Sequence, residues 1–439
     1  MDIEKIKKNV THFLKKNEMD YEDIDIEKYC SLFVEEMRKG LAGQSSSLAM
    51  LPTYIETEAE IPPNKPVIVM DAGGTNFRVA TVVFGDDGKP SIEDFKLFKM
   101  PGLTAKIGKA EFFNTMAGYM EHVVKKSDRV GFCFSYPIEM SASKDGRVLY
   151  FSKEIQAPEV EGQMVGENLN LAISRAGLGQ KKKMVLLNDT VATLLAGRAD
   201  PSRRSFDSYI GFVLGAGTNC SYIEQNKNIT KAKDLDLTRS QIVNVESGGF
   251  GKAPQGAVDE KFDKSLVNPG VNVFEKMISG AYFGPICLWT IHAAAKAKLF
   301  SGAAVEKLTG IKELSTKQTS DFMYNPQAAD SPLSAAIADA DEQDCVTLYL
   351  LIDRMIERAA KLTAINLSSV ALKSGKGSNP ARPICIVAEG TTFYHLTSLR
   401  QRVEYYLKQY LVEKKNVFYQ TINVDNATLI GAAIAGLTN

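Results

Sequence analysis

The sequence lacks an excess of either charge, because 52 lysines and arginines are balanced by 52 aspartates and glutamates. No block of like charge is long enough to form a basic stripe or an acidic tail. A clustered basic surface is the usual signature of nucleic-acid binding. We therefore expect small-molecule partners and no nucleic acid.

Cysteine is scarce and scattered, with six residues and no C-x-x-C pair. Zinc sites and disulfide frameworks both depend on clustered cysteines, so neither is expected. The four histidines show no metal-ligand spacing and no partner for Ser-His-Asp chemistry. A reduced cytoplasmic protein fits this composition best.

Long apolar runs are also missing. No segment reaches the ~18 to 20 apolar residues that a membrane-spanning helix needs. The start, MDIEKIKKNVTHFLKKN, mixes acids with lysines and places Ile3, Ile6, Val10 and Phe13 at helical spacing. We expect this segment to pack on a lobe rather than on a bilayer, so no membrane partner is predicted. Homo-oligomerisation is left open.

The sequence does contain an alternation of strand and helix patterns. At 439 residues the chain is long enough for two or three lobes. Apolar strands such as VIVM, VGFCFS and MVLLN alternate with helical patterns, which favours an α/β fold over an all-α or all-β fold. No low-complexity linker divides the chain, so two lobes would share a continuous hinge.

Two strand–turn–strand units carry similar glycine-bearing turns. The first turn is Gly73-Gly74-Thr75-Asn76 within VIVMDAGGTNFRVATVVF, and the second is Gly215-Ala216-Gly217-Thr218-Asn219 within YIGFVLGAGTNCSYIE. Glycine lets backbone N–H groups approach an anion closely, so two such hairpins facing across a cleft would clamp a polyphosphate. Asp71, at a strand end, could orient a hydrated magnesium ion. Two ordinary tight hairpins are the alternative, and no P-loop or Rossmann motif is present.

Polar side chains follow several predicted strands. In LLNDTVATLLAG a buried strand ends in Asn188-Asp189 and Thr190 begins a helix, which places a carboxylate where α/β proteins form ligand crevices. An aspartate before a helix is more often an N-cap, which is the alternative. Comparable junctions contain Ser135, Ser152, Lys153, Asn244, Glu246 and Glu275. Acidic and amide groups in such numbers suit a polyhydroxyl ligand, although each alone is more often structural.

Seven segments, spread over nearly the whole chain, match the motifs of one family in that family's order. They are GLAGQSSSLAMLPTYI, MDAGGTNFRV, FSYP, LNDTVATLLAG, LGAGTNCSYIE, VNVESGGFG and NPGVNVFEKMISGAYFG. The corresponding family motifs include D-L-G-G-T-N-F-R-V, F-S-F-P, N-D-T-V-G-T-L-L and N-P-G-Q-Q-x-F-E-K-M-I-S-G-x-Y-L-G. The chain thus resembles the hexokinases, sugar kinases of the actin-like ATPase superfamily.

This resemblance implies a two-lobed α/β architecture, the actin-like ATPase (ribonuclease H-like) fold with an interlobe cleft. Residues 1–60 would form a helical segment that packs on the large lobe. Residues 61–190 would form the small lobe and residues 191–439 the large lobe, with the last helix near the hinge. Gly431 and Ala432 would close the nucleotide side.

The resemblance also implies an activity, the ATP-dependent phosphorylation of glucose or a related hexose at its 6-hydroxyl, the first step of glycolysis. Asp189 would be the catalytic base, and Lys153 would hold the sugar end and balance charge. The sugar-binding residues would be Ser135, Ser152, Lys153, Asn188, Asp189, Asn219, Glu246 and Glu275. The residues for ATP would be Asp71, Gly73, Gly74, Thr75, Asn76, Arg78, Gly215, Gly217, Thr218, Gly390 and Thr391. Asp71 would act on magnesium indirectly, through Mg-ATP.

Some positions depart from the family pattern. Residues 152–155 read S-K-E-I where the family has T-K-G-F, Ser247 replaces a tryptophan, and Val271-Asn272 replace two glutamines. These changes bear on sugar specificity, whereas Glu389, which replaces an aspartate, bears on nucleotide preference. The rival reading is a sugar-binding regulator that has lost turnover, and a third is an actin-like filament or chaperone ATPase.

Overall fold

A computed structural model describes residues 1–151, 155–199, 204–328 and 331–439 of the chain. The strands are β1 Leu51–Pro52, β2 Val67–Ala72, β3 Asn76–Phe84, β4 Pro90–Lys99, β5 Arg129–Phe134, β6 Ile138–Met140, β7 Gly146–Val148, β8 Lys183–Leu187, β9 Ser208–Leu214, β10 Thr218–Gln225, β11 Ser240–Asn244, β12 Ile384–Glu389 and β13 Tyr419–Ile422. The α-helices are α1 Ile3–Lys16, α2 Ile26–Leu41, α3 Lys109–Tyr119, α4 Val165–Arg175, α5 Asp189–Ala196, α6 Ala257–Ser265, α7 Val273–Ile278, α8 Phe283–Lys296, α9 Gly302–Gly310, α10 Thr316–Tyr324, α11 Pro332–Ile337, α12 Glu342–Ser374, α13 Thr391–His395, α14 Leu399–Leu407 and α15 Ala427–Thr438. A π-helical segment, Lys408–Lys414, continues α14.

Two sheets with related topology form the two lobes. The five-stranded sheet has the order β4-β3-β2-β5-β8, and the six-stranded sheet has the order β1-β11-β10-β9-β12-β13. In each sheet three consecutive strands form an antiparallel meander, β2-β3-β4 in one and β9-β10-β11 in the other. Two later strands extend each sheet in parallel beside the first strand of the meander: β5 and β8 beside β2, and β12 and β13 beside β9. The two predicted glycine turns join the first two strands of each meander. The predicted two-lobed α/β architecture is confirmed.

Two helices of small residues lie between the sheets. Helix α15 packs on β2, β5 and β8, α5 packs on β9, β10 and β12, and the two helices pack on each other. Glycine allows this approach, since a Cβ on Gly431 would lie 1.9 Å from the carbonyl oxygen of Ala192. A Cβ on Gly131 would lie 1.7 Å from the carbonyl oxygen of Ala432. Gly431 and Ala432 therefore join α15 to α5 and β5, and both are buried.

The N-terminal segment packs on the lobe of the six-stranded sheet. Helices α1 and α2 contact α12, and β1 pairs with β11 at the edge of that sheet. Ile6, Val10 and Phe13 lie on the buried face of α1, as their spacing predicts, whereas Ile3 is exposed. None of the helices in the described part of the chain is both long and apolar enough to cross a bilayer.

We expect Gly431→Ala to destabilise the chain by about 1 to 3 kcal/mol, the range for overpacking a tight core. Gly118→Ala is a matched control, since Gly118 lies in α3 but a Cβ there meets no atom within 4 Å. Alanine's better helix propensity should leave that variant at least as stable as the parent. Thermal unfolding followed by circular dichroism compares them, and equal effects would contradict the packing argument.

Candidate active site

A cavity of about 330 Å³ lies between the two sheets. Its walls come from the segments that follow β5 and β8 in one lobe, and from the β9–β10 turn, the end of β11 and α7 in the other. The lining includes every described residue that the resemblance assigns to the sugar, namely Ser135, Asn188, Asp189, Asn219, Glu246 and Glu275. Ser152 and Lys153 lie outside the described residues. The fold thus brings together polar groups that are far apart in the sequence.

Asp189 is the first residue of α5 and follows the residue that caps this helix. Asn188 is the N-cap, and its Oδ1 accepts hydrogen bonds from the backbone N–H of Thr190 at 3.0 Å and from its hydroxyl at 2.8 Å. Asp189 Oδ1 accepts from the same N–H at 2.7 Å. Asn188 thus occupies the N-cap position, whereas Asp189 lies within the helix, shares the Thr190 N–H and lines the cavity.

Three carboxyl groups around the cavity have raised pKa values. The pKa of Asp189 is raised to about 6, chiefly by burial and further by the negative charges of Glu246 and Asp71. Burial also raises the pKa of Glu246 and of Glu275. A carboxylate with a pKa near neutrality is both ionised at pH 7 and basic enough to accept a proton, as a general base must.

Amide side chains hold Glu246 from one side. Asn219 Nδ2 donates to Asn244 Oδ1 at 2.8 Å and to Glu246 Oε1 at 3.2 Å, and Asn244 Nδ2 donates to the same Glu246 oxygen at 2.7 Å. Glu246 has a left-handed backbone with a φ of 56°. Such a conformation is uncommon outside glycine and is often found at functional sites.

A buried polar chain lies behind these amides. Asn219 Oδ1 accepts from the backbone N–H of Cys220 at 2.7 Å and of Ser247 at 3.2 Å. Asn366, from α12, donates to the hydroxyl of Ser247 at 3.2 Å and accepts from the thiol of Cys220 at 3.5 Å. Ser247, which stands where the related motif has tryptophan, therefore has a buried partner in Asn366.

Glu275 connects the cavity to the β9–β10 turn. Its Oε2 accepts the backbone N–H of Thr218 at 2.9 Å. A Cβ on Gly217 would lie 2.6 Å from that oxygen, so this contact needs glycine. The hydroxyl of Thr218 donates to the carbonyl of Val213 at 3.1 Å. Thr218 is predicted to bind phosphate, but its backbone N–H and its hydroxyl both donate to groups of the same lobe, Glu275 and Val213.

The β2–β3 turn exposes Gly74, Thr75 and Asn76 to solvent. Beneath it, the carboxylate of Asp71 forms an ion pair with Arg78 and accepts a hydrogen bond from the hydroxyl of Thr428 at 2.9 Å. Arg78 also donates to that hydroxyl at 2.9 Å. Arg78, predicted to lie near the phosphates, therefore balances the charge of Asp71.

A second cavity, of about 750 Å³, adjoins the first, and Ala216 lines both. Thr391 and Thr392 line this larger cavity, and Thr392 donates to the carbonyl of Gly215 at 2.8 Å. Gly390 has a φ of 110°, and a Cβ there would lie 2.3 Å from the Leu214 carbonyl oxygen. The predicted nucleotide residues 390 and 391 thus adjoin the β9–β10 turn.

Sequence reasoning missed Thr392, Thr428 and Tyr136. Thr392 donates to a carbonyl of the β9–β10 turn, and Thr428 donates to the Asp71 carboxylate beneath the β2–β3 turn. Tyr136 lines the cavity of about 330 Å³, which is called the sugar-side cavity below because the resemblance assigns the sugar to its residues. Their sequence signals are weak: a hydroxyl in the first turn of α13 or α15, and a tyrosine in FSYP where the related motif has phenylalanine.

Comparison with known proteins identifies the family. Two family models described as hexokinase match residues 10–199 and 209–438. The chain is 28% identical over 427 residues to hexokinase-1 of Arabidopsis thaliana, covering 91% of this chain and 85% of that protein. It is 28% identical over 373 residues to hexokinase-2 of Homo sapiens, covering 80% of this chain and 40% of that protein.

The fold agrees with this match. A solved structure of hexokinase from Schistosoma mansoni complexed with glucose superimposes with a TM-score of 0.78 at 22% identity, covering 99% of this chain and 100% of that chain. At that identity the likeness concerns the fold, which is the predicted actin-like ATPase architecture. Since one family model spans more than half of the chain and the other most of the remainder, this chain belongs to the hexokinase family.

Proposed function

We propose that this hexose kinase transfers the γ-phosphoryl group of ATP to the 6-hydroxyl of glucose or a closely related hexose. The observation that supports it best is the convergence of Asp189, Asn219, Glu246 and Glu275 on one cavity. The β9–β10 turn lines this cavity, and the β2–β3 turn is joined to it through Tyr136. Carboxylates accept hydrogen bonds from sugar hydroxyls, and amides both donate and accept them. No observation favours a regulator without turnover.

Asp189 would orient the 6-hydroxyl and accept its proton as the oxygen–phosphorus bond forms. Its pKa of about 6 suits that role. Phosphoryl transfer depends on alignment and on stabilised charge more than on covalent chemistry. By resemblance, Ser152 would bind the sugar and Lys153 would balance the developing charge. Closure of the lobes would exclude water, the competing acceptor.

ATP would place its phosphates between the two turns and extend from Ala216 into the larger cavity. The carbonyls of Gly215 and Ala216 accept hydrogen bonds from Gly280, Ala281 and Thr392. Since C=O and N–H point to opposite sides of a trans peptide, the N–H groups of Ala216 and Gly217 face away from those partners. They, rather than the donors of Thr218, would contact phosphate on this side.

Magnesium would accompany ATP. The described residues contain no group of three or more His, Cys, Asp or Glu placed to hold a metal ion. Magnesium often keeps several waters and binds one or two carboxylates plus substrate phosphates, which fits Asp71 as the carboxylate beneath the first turn. When bound, magnesium neutralises phosphate charge.

We also propose lobe limits at residues 61–190 and 191–439, with residues 1–60 on the second lobe. The two sheets support these limits because the five-stranded sheet contains no strand outside residues 67–187 among those described. Helix α15 contacts the five-stranded sheet and α5, which supports a position between the lobes.

The first test is ADP formation from Mg-ATP with glucose, mannose, fructose, N-acetylglucosamine or no sugar. We expect sugar-dependent turnover that is fastest with glucose. Glucose binding without ADP formation with any sugar would instead support the regulator.

Asp189→Asn should lower kcat by ~10² to 10⁴, the usual contribution of a general base, while glucose binding is retained. In the parent enzyme, kcat/KM should fall as the pH drops below about 6, because a protonated Asp189 cannot accept the proton. Asp234→Asn, at an exposed loop position, is the matched control. Near-normal turnover of Asp189→Asn would exclude the base role.

Glu275→Gln and Glu275→Ala should separate sugar binding from support of the turn. Glutamine keeps an oxygen that can accept the Thr218 N–H, so the KM for glucose should rise roughly 10-fold or more while that for ATP changes little. Alanine loses both contacts, so both KM values should rise. Steady-state kinetics with each substrate varied provide the measurement; equal KM increases in Glu275→Gln would indicate a purely structural residue.

A further inference from the structure

Tyr136 lies between the sugar-side cavity and the β2–β3 turn. It follows Ser135 at the end of β5, it lines the cavity, and it is only 4% exposed. Its hydroxyl donates to the carbonyl of Gly73 at 2.7 Å, and the carbonyl of Gly74 lies 3.2 Å away. One side chain thus touches both the cavity and the turn proposed to bind phosphate.

These bonds determine which way the turn's peptides face. The carbonyls of Gly73 and Gly74 point to Tyr136, and the carbonyl of Thr75 accepts the N–H of Met100 at 2.9 Å. No described peptide bond is cis. In a trans peptide the N–H points opposite to the C=O, so the N–H groups of Gly74 and Thr75 face away from Tyr136. Both residues are exposed, and no hydrogen bond joins either N–H to another described residue.

The tyrosine ring is held by other aromatic rings. Its centroid lies 5.2 Å from that of Phe134 and 5.1 Å from that of Phe151, the latter in an edge-to-face arrangement. Aromatic contacts at such distances are favourable and restrict the ring. Phe151 immediately precedes Ser152 and Lys153 in the sequence. The hydroxyl therefore has a defined position under the turn.

The second turn is held differently. Its carbonyls accept backbone N–H groups of Gly280 and Ala281 as well as the hydroxyl of Thr392. The first turn instead relies on the Tyr136 hydroxyl for two of its carbonyls, and phenylalanine, which occupies this place in the related motif F-S-F-P, has no hydroxyl. This chain therefore carries a contact that the motif does not require.

We propose that Tyr136 is a positioning residue that couples the sugar cavity to the phosphate-binding turn. The inference rests on the proposed function. A sugar in the cavity contacts the wall that contains Tyr136, and the tyrosine hydroxyl keeps the turn's N–H groups directed at the phosphates. Sugar binding and nucleotide binding then strengthen each other by the same factor, as thermodynamic linkage requires.

The test is Tyr136→Phe, which removes one oxygen and keeps the ring. We expect the KM for Mg-ATP to rise about five-fold, the factor for one hydrogen bond of typical net strength, while the KM for glucose changes less than about two-fold. We also expect saturating glucose to tighten Mg-ADP binding, measured by calorimetry, less in the variant than in the parent. Tyr419→Phe is the matched control, because that hydroxyl bonds to Glu404 on the other lobe.

The outcomes separate this inference from the proposed function. If the parent turns over glucose and Tyr136→Phe matches it in both KM values and in coupling, the positioning role is excluded and the kinase stands. Equal increases of both KM values with a lower melting temperature would also exclude it, in favour of a packing role. If the parent forms no ADP with any sugar, the proposed function fails. In that case, a Mg-ADP affinity that is the same in Tyr136→Phe as in the parent would also exclude a role of Tyr136 in positioning the β2–β3 turn.

Discussion

The close backbone contact between α5 and α15 is the constraint on which the site depends. Gly431 makes this contact possible. Two further glycines let the sheets approach these helices: Gly131 of β5 faces α15, and a Cβ on Gly211 of β9 would lie 2.1 Å from the carbonyl oxygen of Thr190 in α5. Asp189 begins α5, and Thr428 lies in the first turn of α15. A shift of α5 would therefore move Asp189, the proposed base. A shift of α15 would move Thr428, which donates a hydrogen bond to Asp71 beneath the first turn.

The cavity's carboxyl groups reduce stability at neutral pH. Because the pKa of Asp189 is raised in the folded chain to about 6, the folded state binds this proton more tightly than the unfolded state does. Its favourable contribution is complete below the unfolded pKa, near ~4, and is lost as the pH rises through about 6. Glu246 and Glu275 shift in the same direction. Sugar hydroxyls that donate to these carboxylates would offset the penalty, as is usual where function and stability compete.

Much of the fold and site could be predicted from the sequence, because strands, glycine turns and polar residues at strand ends are local patterns. Asn188 and Asp189 follow an apolar strand pattern, and Glu275 belongs to the motif NPGVNVFEKMISGAYFG. The partners of these groups could not be predicted, because they depend on tertiary contacts between distant segments. The ion pair and hydrogen bond that engage Asp71 include Thr428 from the last helix, and no spacing in the sequence indicates that contact.

The two sheets share a five-strand topology, to which β1 adds a sixth strand in one of them, but different hydrogen bonds hold their glycine turns. Tyr136 donates to the Gly73 carbonyl of the first turn, whereas Glu275 accepts the Thr218 N–H of the second turn. Both side chains also line the sugar-side cavity. A ligand in that cavity would therefore contact one support of each turn proposed to bind phosphate, one from each lobe. Under the proposed function, lobe closure around the sugar would then bring the two turns to the nucleotide together, which would tie phosphoryl transfer to the presence of the acceptor.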